Sequence, residues 1–422
     1  MASSSSGTGG GGGGACAALG LVGPADVLVV KHYGLDPLIC QGGFFLGGPS
    51  AVKFASSPAG DTAIAMDRHD YIVCYPGLTY VSTAIAAFTP SGNLQGKGLV
   101  FSGPIWPPTD VTDLDIDATG HFTWSESLQN TQQFTITQRI NSSTGPGYSV
   151  TTSTLGAPNS PQFSAGHLAV ATGQWTQAVD SLFVPGFLDG KHLFPANVPL
   201  PAMPNRGLDL DGNGNTYLAG TLSGSVNFGC GILTAAGATD RFFAKINAAG
   251  ACVYSRRFDG PFKIGVDGAG DAMLFATFSG TIDLGGGPLV SVGIQDLAVT
   301  KLDPQGNLLW SESFGGPGGA VTLNELSVSA SGETALTGTF TGAVDFGSGP
   351  VTPPPGCNPT FVMKLGPSGS VDWTKFLNNP GPLGVALNSA GAVMLISASN
   401  TLDVGSGPVL TSPGVVLAQL VP

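Results

Sequence analysis

The chain has 422 residues, 42% of them hydrophobic, which is enough for one large all-β domain or two to three ordinary ones. Only 10% are charged, against roughly 25% in a typical soluble domain, and 65 Gly with 32 Pro suit many strands joined by turns. The net charge of −12 offers no basic footprint, which argues against a nucleic-acid partner and against a lipid surface held by basic residues.

Residues 1–24 open as MASSSSGTGGGGGGACAALG and read as a disordered Ser/Gly-rich tether. The segment has neither the basic nor the apolar region of an export signal. No apolar run of about 18 residues follows, so no transmembrane segment is expected. The tether resembles the stretch after the lipid-bearing Cys of a bacterial lipoprotein. The expectation is an extracellular or outer-surface protein whose export signal and anchoring Cys lie outside this sequence. Cys16 lacks a leucine-rich lead-in and is not read as lipidated.

From Asp26, DVLVVKHYGLDPLICQGGFF reads as a second hairpin with no first hairpin before it. DTAIAMDRHDYIVC from Asp61 and STAIAAFTPSGNLQGKGLVF from Ser82 read as a first and a second hairpin. VTDLDIDATGHFTWSES with QFTITQRINSSTGPGYSV, and AGHLAVATGQWTQAV with SLFVPGFLDGKHLF, make two fainter pairs.

The pattern is clearest from Leu208. LDLDGNGNTYLAGTLSGSVNFG, IGVDGAGDAMLFATFSGTIDLG, LSVSASGETALTGTFTGAVDFG and VALNSAGAVMLISASNTLDVG each give a strand, a turn, an alternating strand and a V/I/L-D/N-apolar-Gly ending. A Gly- and Pro-rich loop follows, then DRFFAKINAAGACVYSRRF, DLAVTKLDPQGNLLWSESF and TFVMKLGPSGSVDWTKF. Lys245, Lys301 and Lys364 recur at matching places, as do Tyr254, Trp310 and Trp373.

First-hairpin turns are thus expected near residues 67, 117, 170, 211, 267, 329 and 388. Seven four-stranded units predict an all-β, seven-bladed β-propeller over residues 25–422, irregular to about 205 and regular after it. Six or eight blades are the alternatives. The chain ends in GVVLAQLVP, a third strand without a fourth, so the strand around Leu38 to Cys40 is expected to complete the blade begun near Val385.

Asp211 to Asn215, Thr337 to Phe340, Asp345 to Gly347 and Asp303 to Trp310 resemble the β-propeller repeats of bacterial exported and cell-surface proteins, the SBBP-like repeats. The resemblance covers about half the chain and implies surface scaffolds. It carries no common catalytic residue.

Asp209, Asp211, Asn213 and Asn215 have the two-residue spacing of a calcium loop, but position twelve, counted from Asp209, is Gly220. The equivalent stretches lose the oxygen ligands and keep the apolar frame, so a turn is the reading and Ca²⁺ the alternative. No other cofactor is expected. All five histidines lie in the first 192 residues. His69 and His121 are expected in first-hairpin turns, able to approach one face of the ring beside Asp67 and Asp70. Trp106, Trp124 and Trp175 fall in the same irregular half, with Glu126 beside Trp124, and such rings and carboxylates suit a glycan.

Six cysteines form no CxxC pair, which leaves buried thiols or one or two disulfides, with Cys230 and Cys252 the pair to test. No GxSxG elbow, phosphate loop or HExxH motif is present. The sequence therefore points to a monomeric surface scaffold for a protein or glycan partner. A polysaccharide hydrolase or lyase with an axial polar cluster is one alternative, and a purely architectural or adhesive role the other.

Overall fold

The computed structural model describes most of residues 208–397; outside that stretch it describes strand segments between 27 and 192, residues 89 and 93, and the strand Gly414–Leu420. The described residues are all-β and contain no helix. Their strands pair antiparallel and sort into seven four-stranded sheets and three two-stranded ribbons.

The first sheet is Ala51–Ser56, Thr62–Cys74, Gly77–Phe88 and Leu94–Ser102, in that order across the sheet. The second is Thr109–Ile116, Phe122–Leu128, Gln133–Arg139 and Leu155–Gly156. The third is Gln162–Ser164, His167–Ala171, Trp175–Asp180 and Lys191–His192. The fourth runs through Leu208–Leu210, Thr216–Thr221, Asp240–Ile246 and Cys252–Asp259, the fifth through Lys263–Val266, Ala272–Phe278, Asp296–Leu302 and Leu308–Phe314. The sixth is Ala320–Val328, Thr334–Thr341, Thr360–Leu365 and Val371–Leu377.

The seventh sheet joins the two ends of the chain. Leu383–Leu387, Val393–Ser397 and Gly414–Leu420 are followed across the sheet by Val27–Gly34, with Val27 opposite Leu420 and Gly34 opposite Gly414. The place beside Gly414–Leu420 is thus taken by Val27–Gly34, while Leu38 to Cys40, expected to complete this blade, lie outside the described residues. VLVVKHYG alternates as a third or a fourth strand would, and the pattern of one strand does not say which edge it takes.

Two expected turns also move. Asp67 to Asp70 do not reverse the chain; they form a register shift inside the 13-residue strand Thr62–Cys74. The first-hairpin turn lies earlier, between the paired residues Ser56 and Thr62. A bulge accommodates polar residues without ending the strand, so DRHD has the composition of a turn but not its shape. In the third sheet the turn lies between Ser164 and His167, and the stretch after 170 links the second strand to the third. The turns near 117, 211, 267, 329 and 388 fall between first and second strands, as expected.

The Gly- and Pro-rich loops of the fourth to sixth sheets are ribbons: Ser225–Asn227 with Ile232–Thr234, Thr281–Asp283 with Pro288–Val290, and Val344–Asp345 with Pro350–Val351. Each turns on one side-chain acceptor. Asn227 Oδ1 accepts from the N–H of Gly229 and Gly231, Asp283 Oδ1 from Gly285 and Gly287, and Asp345 Oδ1 from Gly347 and Gly349. The second glycine of each pair sits near φ +100°, at 117°, 94° and 103°, where a side chain is strained.

The core lies between successive sheets. Asp296–Leu302 and Thr360–Leu365 are buried along their whole length, which explains their near-continuous apolar runs. Phe243, Phe258 and Phe262 of one cluster join Ile264 and Leu274 across the fourth and fifth sheets. Phe275 and Val299 meet Leu326, Phe340 and Phe361 across the fifth and sixth. Each such aromatic contributes roughly 2–3 kcal/mol by burial. Phe361→Ala, at 0% exposure, would cost about 3–5 kcal/mol.

Candidate functional site

Residues 208 to 217 show what the repeated polar groups do. The Asp211 N–H donates to the Asn215 carbonyl at 3.1 Å and closes the first-hairpin turn. Asp211 Oδ1 accepts from the N–H groups of Asn213 at 2.9 Å and Asn215 at 3.0 Å. Its Oδ2 accepts from Asn215 Nδ2 at 2.7 Å and lies 3.2 Å from the Tyr217 hydroxyl oxygen. Lys245 Nζ lies 3.7 Å from the same oxygen. Asp209 serves a different set: its Oδ2 accepts from the Val266 N–H in the fifth sheet at 2.7 Å. The Asp209 and Asp211 carboxylates are thus committed to separate partners.

The arrangement recurs with altered chemistry. Asp267 Oδ1 accepts from Ala269 and Asp271 N–H groups, and Ser329 Oγ accepts from Glu333 N–H. Lys301 Nζ bridges Asp267 at 2.9 Å and Asp271 at 3.0 Å. Lys364 Nζ reaches Glu333 at 2.7 Å and Asp372 at 3.5 Å. All three lysines are buried. Burial opposes the charge of Lys301, but its hydrogen bonds to Asp267 and Asp271 outweigh it and raise the pKa above the usual lysine value. Lys245 has one carboxylate at greater distance, burial wins, and its pKa is lowered. Burial, then Asp211, pushes the Tyr217 phenol up.

Other recurring groups tie one sheet to the next. Gly306 lies under the Tyr254 ring and Gly369 under the Trp310 ring, where an added Cβ would be 3.1 and 2.9 Å from the ring carbons. Trp310 Nε1 donates to the Pro367 carbonyl at 3.1 Å, and Lys245 Nζ to that of Pro304 at 3.1 Å. Sequence reasoning found these lysines and aromatics as repeats but not their partners. It passed over Asp240 and Asp296, which accept from the N–H groups of Ala236 and Gly237 and of Val292 and Gly293. The signal was the Asp that opens DRFF and DLAV.

His69 lies within the second strand of the first sheet, at the bulge, and not in a first-hairpin turn. Trp124 and Glu126 sit two residues apart on Phe122–Leu128, opposite Thr137 and Thr135. Trp175 opens Trp175–Asp180 opposite Ala171. His121 and Trp106 lie outside the described residues. Cys230 and Cys252 form a disulfide, Cα to Cα 5.6 Å. Among the described residues no helix is long and apolar enough to cross a membrane.

No family model and no curated protein sequence matches the chain. Among solved structures it is similar to the Dos1 propeller, at 9% identity and a TM-score of 0.35 over 73% of this chain and 71% of that one. It is also similar to a protein of unknown function from Dyadobacter fermentans, at 10% identity and a TM-score of 0.37 over 93% and 98%. Apo AztD from Citrobacter koseri gives 9% identity and a TM-score of 0.38 over 80% and 95%. Scores this low say nothing further about fold or function, and the all-β architecture rests on the chain's own strand pairing.

Proposed function

We propose that the seven sheets are the blades of a closed β-propeller, and that the protein is an exported or surface-tethered binding scaffold. The ring is supported by the first strands, each of which meets the next in order, with Ala51–Ser56 meeting Leu383–Leu387. It is supported again by Val27–Gly34 pairing with Gly414–Leu420. Export is favoured by the Cys230–Cys252 disulfide, because such bonds persist in oxidising compartments.

One observation carries the scaffold reading. The recurring charged side chains, Lys245, Lys301 and Lys364 with their carboxylates, are spent inside the repeats on turns and ion pairs. Repetition there serves architecture, so recognition falls to the half that does not repeat well. Trp106, Trp124, Trp175, Glu126, His69 and His121 are its candidate contacts, for a glycan or a protein at the cell surface, with the chain acting as a monomer. The Asp209 to Asn215 stretch is read as a turn and not as a calcium site.

Binding of the purified chain to arrayed glycans and to surface-protein extracts tests this, alongside Trp124→Ala and Glu126→Ala. A ligand retained by the parent and lost by both variants is the expected result. A ligand retained equally by all three overturns the assignment of the irregular half, and polysaccharide cleavage would replace the scaffold by an enzyme.

A further inference from the structure

The outer strands of the fourth, fifth and sixth sheets share one aromatic position and differ at the next residue on the same side. Tyr254, Trp310 and Trp373 lie opposite Lys245, Lys301 and Lys364. Two residues on, Arg256, Glu312 and Lys375 lie opposite Phe243, Val299 and Val362. Residues two apart share a face of a strand, separated by about 7 Å along it. In the fourth and sixth sheets that neighbour is a cation over the ring. The Arg256 guanidinium carbon lies 6.0 Å from the Tyr254 ring centroid, and Lys375 Nζ 5.3 Å from that of Trp373. The fifth sheet keeps the ring but puts an exposed carboxylate, Glu312, where the other two put the cation.

The Trp310 ring is fixed in place and half-buried. Its Nε1 donates to the Pro367 carbonyl at 3.1 Å. Gly369 closes against it, where an added Cβ would be 2.9 Å from the ring carbons. Leu308 and Leu309, 40% and 51% exposed, precede it on the strand. This combination suits a lysine or arginine side chain. The ring attracts the charged head, the carboxylate pairs with it, and the leucines offer apolar surface to the methylene stem. The net charge of −12 draws a basic partner in the same sense.

We propose that Trp310 and Glu312 form a docking site for a lysine or arginine side chain of a partner protein. The incoming cation takes the place over Trp310 that Arg256 and Lys375 fill from within the chain beside Tyr254 and Trp373. The site goes beyond the contacts assigned to the irregular half. It follows the same logic, because it lies where the regular half departs from its own repeat.

Indole N–H resonances of the full, isotope-labelled chain test this, with Trp310→Phe identifying the Trp310 signal. The probes are the capped tripeptide acetyl-Gly-Lys-Gly-amide, its arginine counterpart, and a norleucine counterpart that keeps the stem without the charge. The expected result is a saturable shift of the Trp310 signal with the lysine and arginine peptides and none with norleucine. Glu312→Lys gives the fifth sheet its own cation. It should keep the parent's thermal midpoint and weaken the charged peptides roughly tenfold or more. Glu312→Gln, which removes the charge without reversing it, should weaken them several-fold. A Trp310 signal unmoved by either charged peptide overturns the site, as does an equal shift with norleucine. Undiminished affinity in both Glu312 variants overturns it too, and a shift produced only by a neutral sugar such as methyl glucoside would assign the ring to a glycan instead.

Discussion

The Tyr217 hydroxyl donates to the Gly270 carbonyl at 2.6 Å, joining the second strand of the fourth sheet to the first-hairpin turn of the fifth. A Cβ on Gly270 would lie 2.8 Å from Asp211 Oδ2 and 3.0 Å from the hydroxyl, and Gly270 has φ +85°. One turn glycine thus closes over the preceding sheet's buried Asp211. Tyr217→Phe leaves the Gly270 carbonyl without this donor and should cost about 1–2 kcal/mol. Gly270→Ala adds backbone strain to a steric conflict and should cost about 2 kcal/mol or more. Urea unfolding of the two variants checks the order; equal stability of Gly270→Ala and parent would refute the close approach.

The acid–lysine pairs differ in their exposure to water, and so should their mutants. Lys301 faces Asp267, 4% exposed, and Asp271, 17% exposed. Lys301→Met strands both carboxylates and should cost about 3–5 kcal/mol. Lys364 faces Glu333, 24% exposed, and Asp372, 38% exposed. Water stabilises those carboxylates once the lysine is gone, so Lys364→Met should cost about 1 kcal/mol. Denaturant midpoints measured side by side decide the matter, and the reverse order would contradict it.

Stability should fall at both ends of the pH range, for different groups. The Ala236 N–H, working against burial, lowers the Asp240 pKa, with Arg257 and Gly237 helping. Burial alone would raise that of Asp303, but hydrogen bonds from Asn307 and the turn N–H groups lower it. Their contribution is present above the unfolded carboxylate value of roughly 3.9 and is lost as pH falls through the lower folded values. Lys301, raised in the fold, contributes fully below the unfolded lysine value of roughly 10.4, and that contribution is lost as pH rises through its folded value. Lys245 is lowered and acts with the opposite sign, gaining stability between its folded and unfolded values. Midpoints followed across pH should therefore show an alkaline decline that Lys301→Met flattens. An undiminished decline in that variant would assign it elsewhere.

The junction between the last and first sheets offers a direct probe of ring closure. A Cβ on Gly384 would lie 2.2 Å from the Phe54 ring. Gly384→Ala should cost about 1–3 kcal/mol by overpacking, and Phe54→Leu in the same chain should recover part of it. Thermal unfolding of the single and double variants reads this coupling. Additive effects would mean that the two residues do not meet.

The β class, the period and the turn positions from Leu208 onward were legible because the repeat displays them several times. Strand alternation and the Gly- and Asp-containing turns are local properties, set by backbone sterics and nearby side-chain acceptors. DRHD at 67 to 70 misled for the same reason: one local composition serves both a turn and a bulge, and only the facing strand Gly77–Phe88 distinguishes them. The ribbons hid in glycine- and proline-rich segments because their pairing needs two short strands whose register is set by Asn227, Asp283 and Asp345.

By itself the sequence determined that this chain is built of repeated antiparallel strands, with lysine and aromatic residues returning at fixed places. Only the tertiary structure decided what those residues meet. Lys245 with Asp211, Trp310 with Pro367, and Val27 with Leu420 are contacts between segments far apart along the chain. Periodicity places each partner on a strand or in a turn, but burial, sheet order and the approach of neighbouring backbones choose which two surfaces touch.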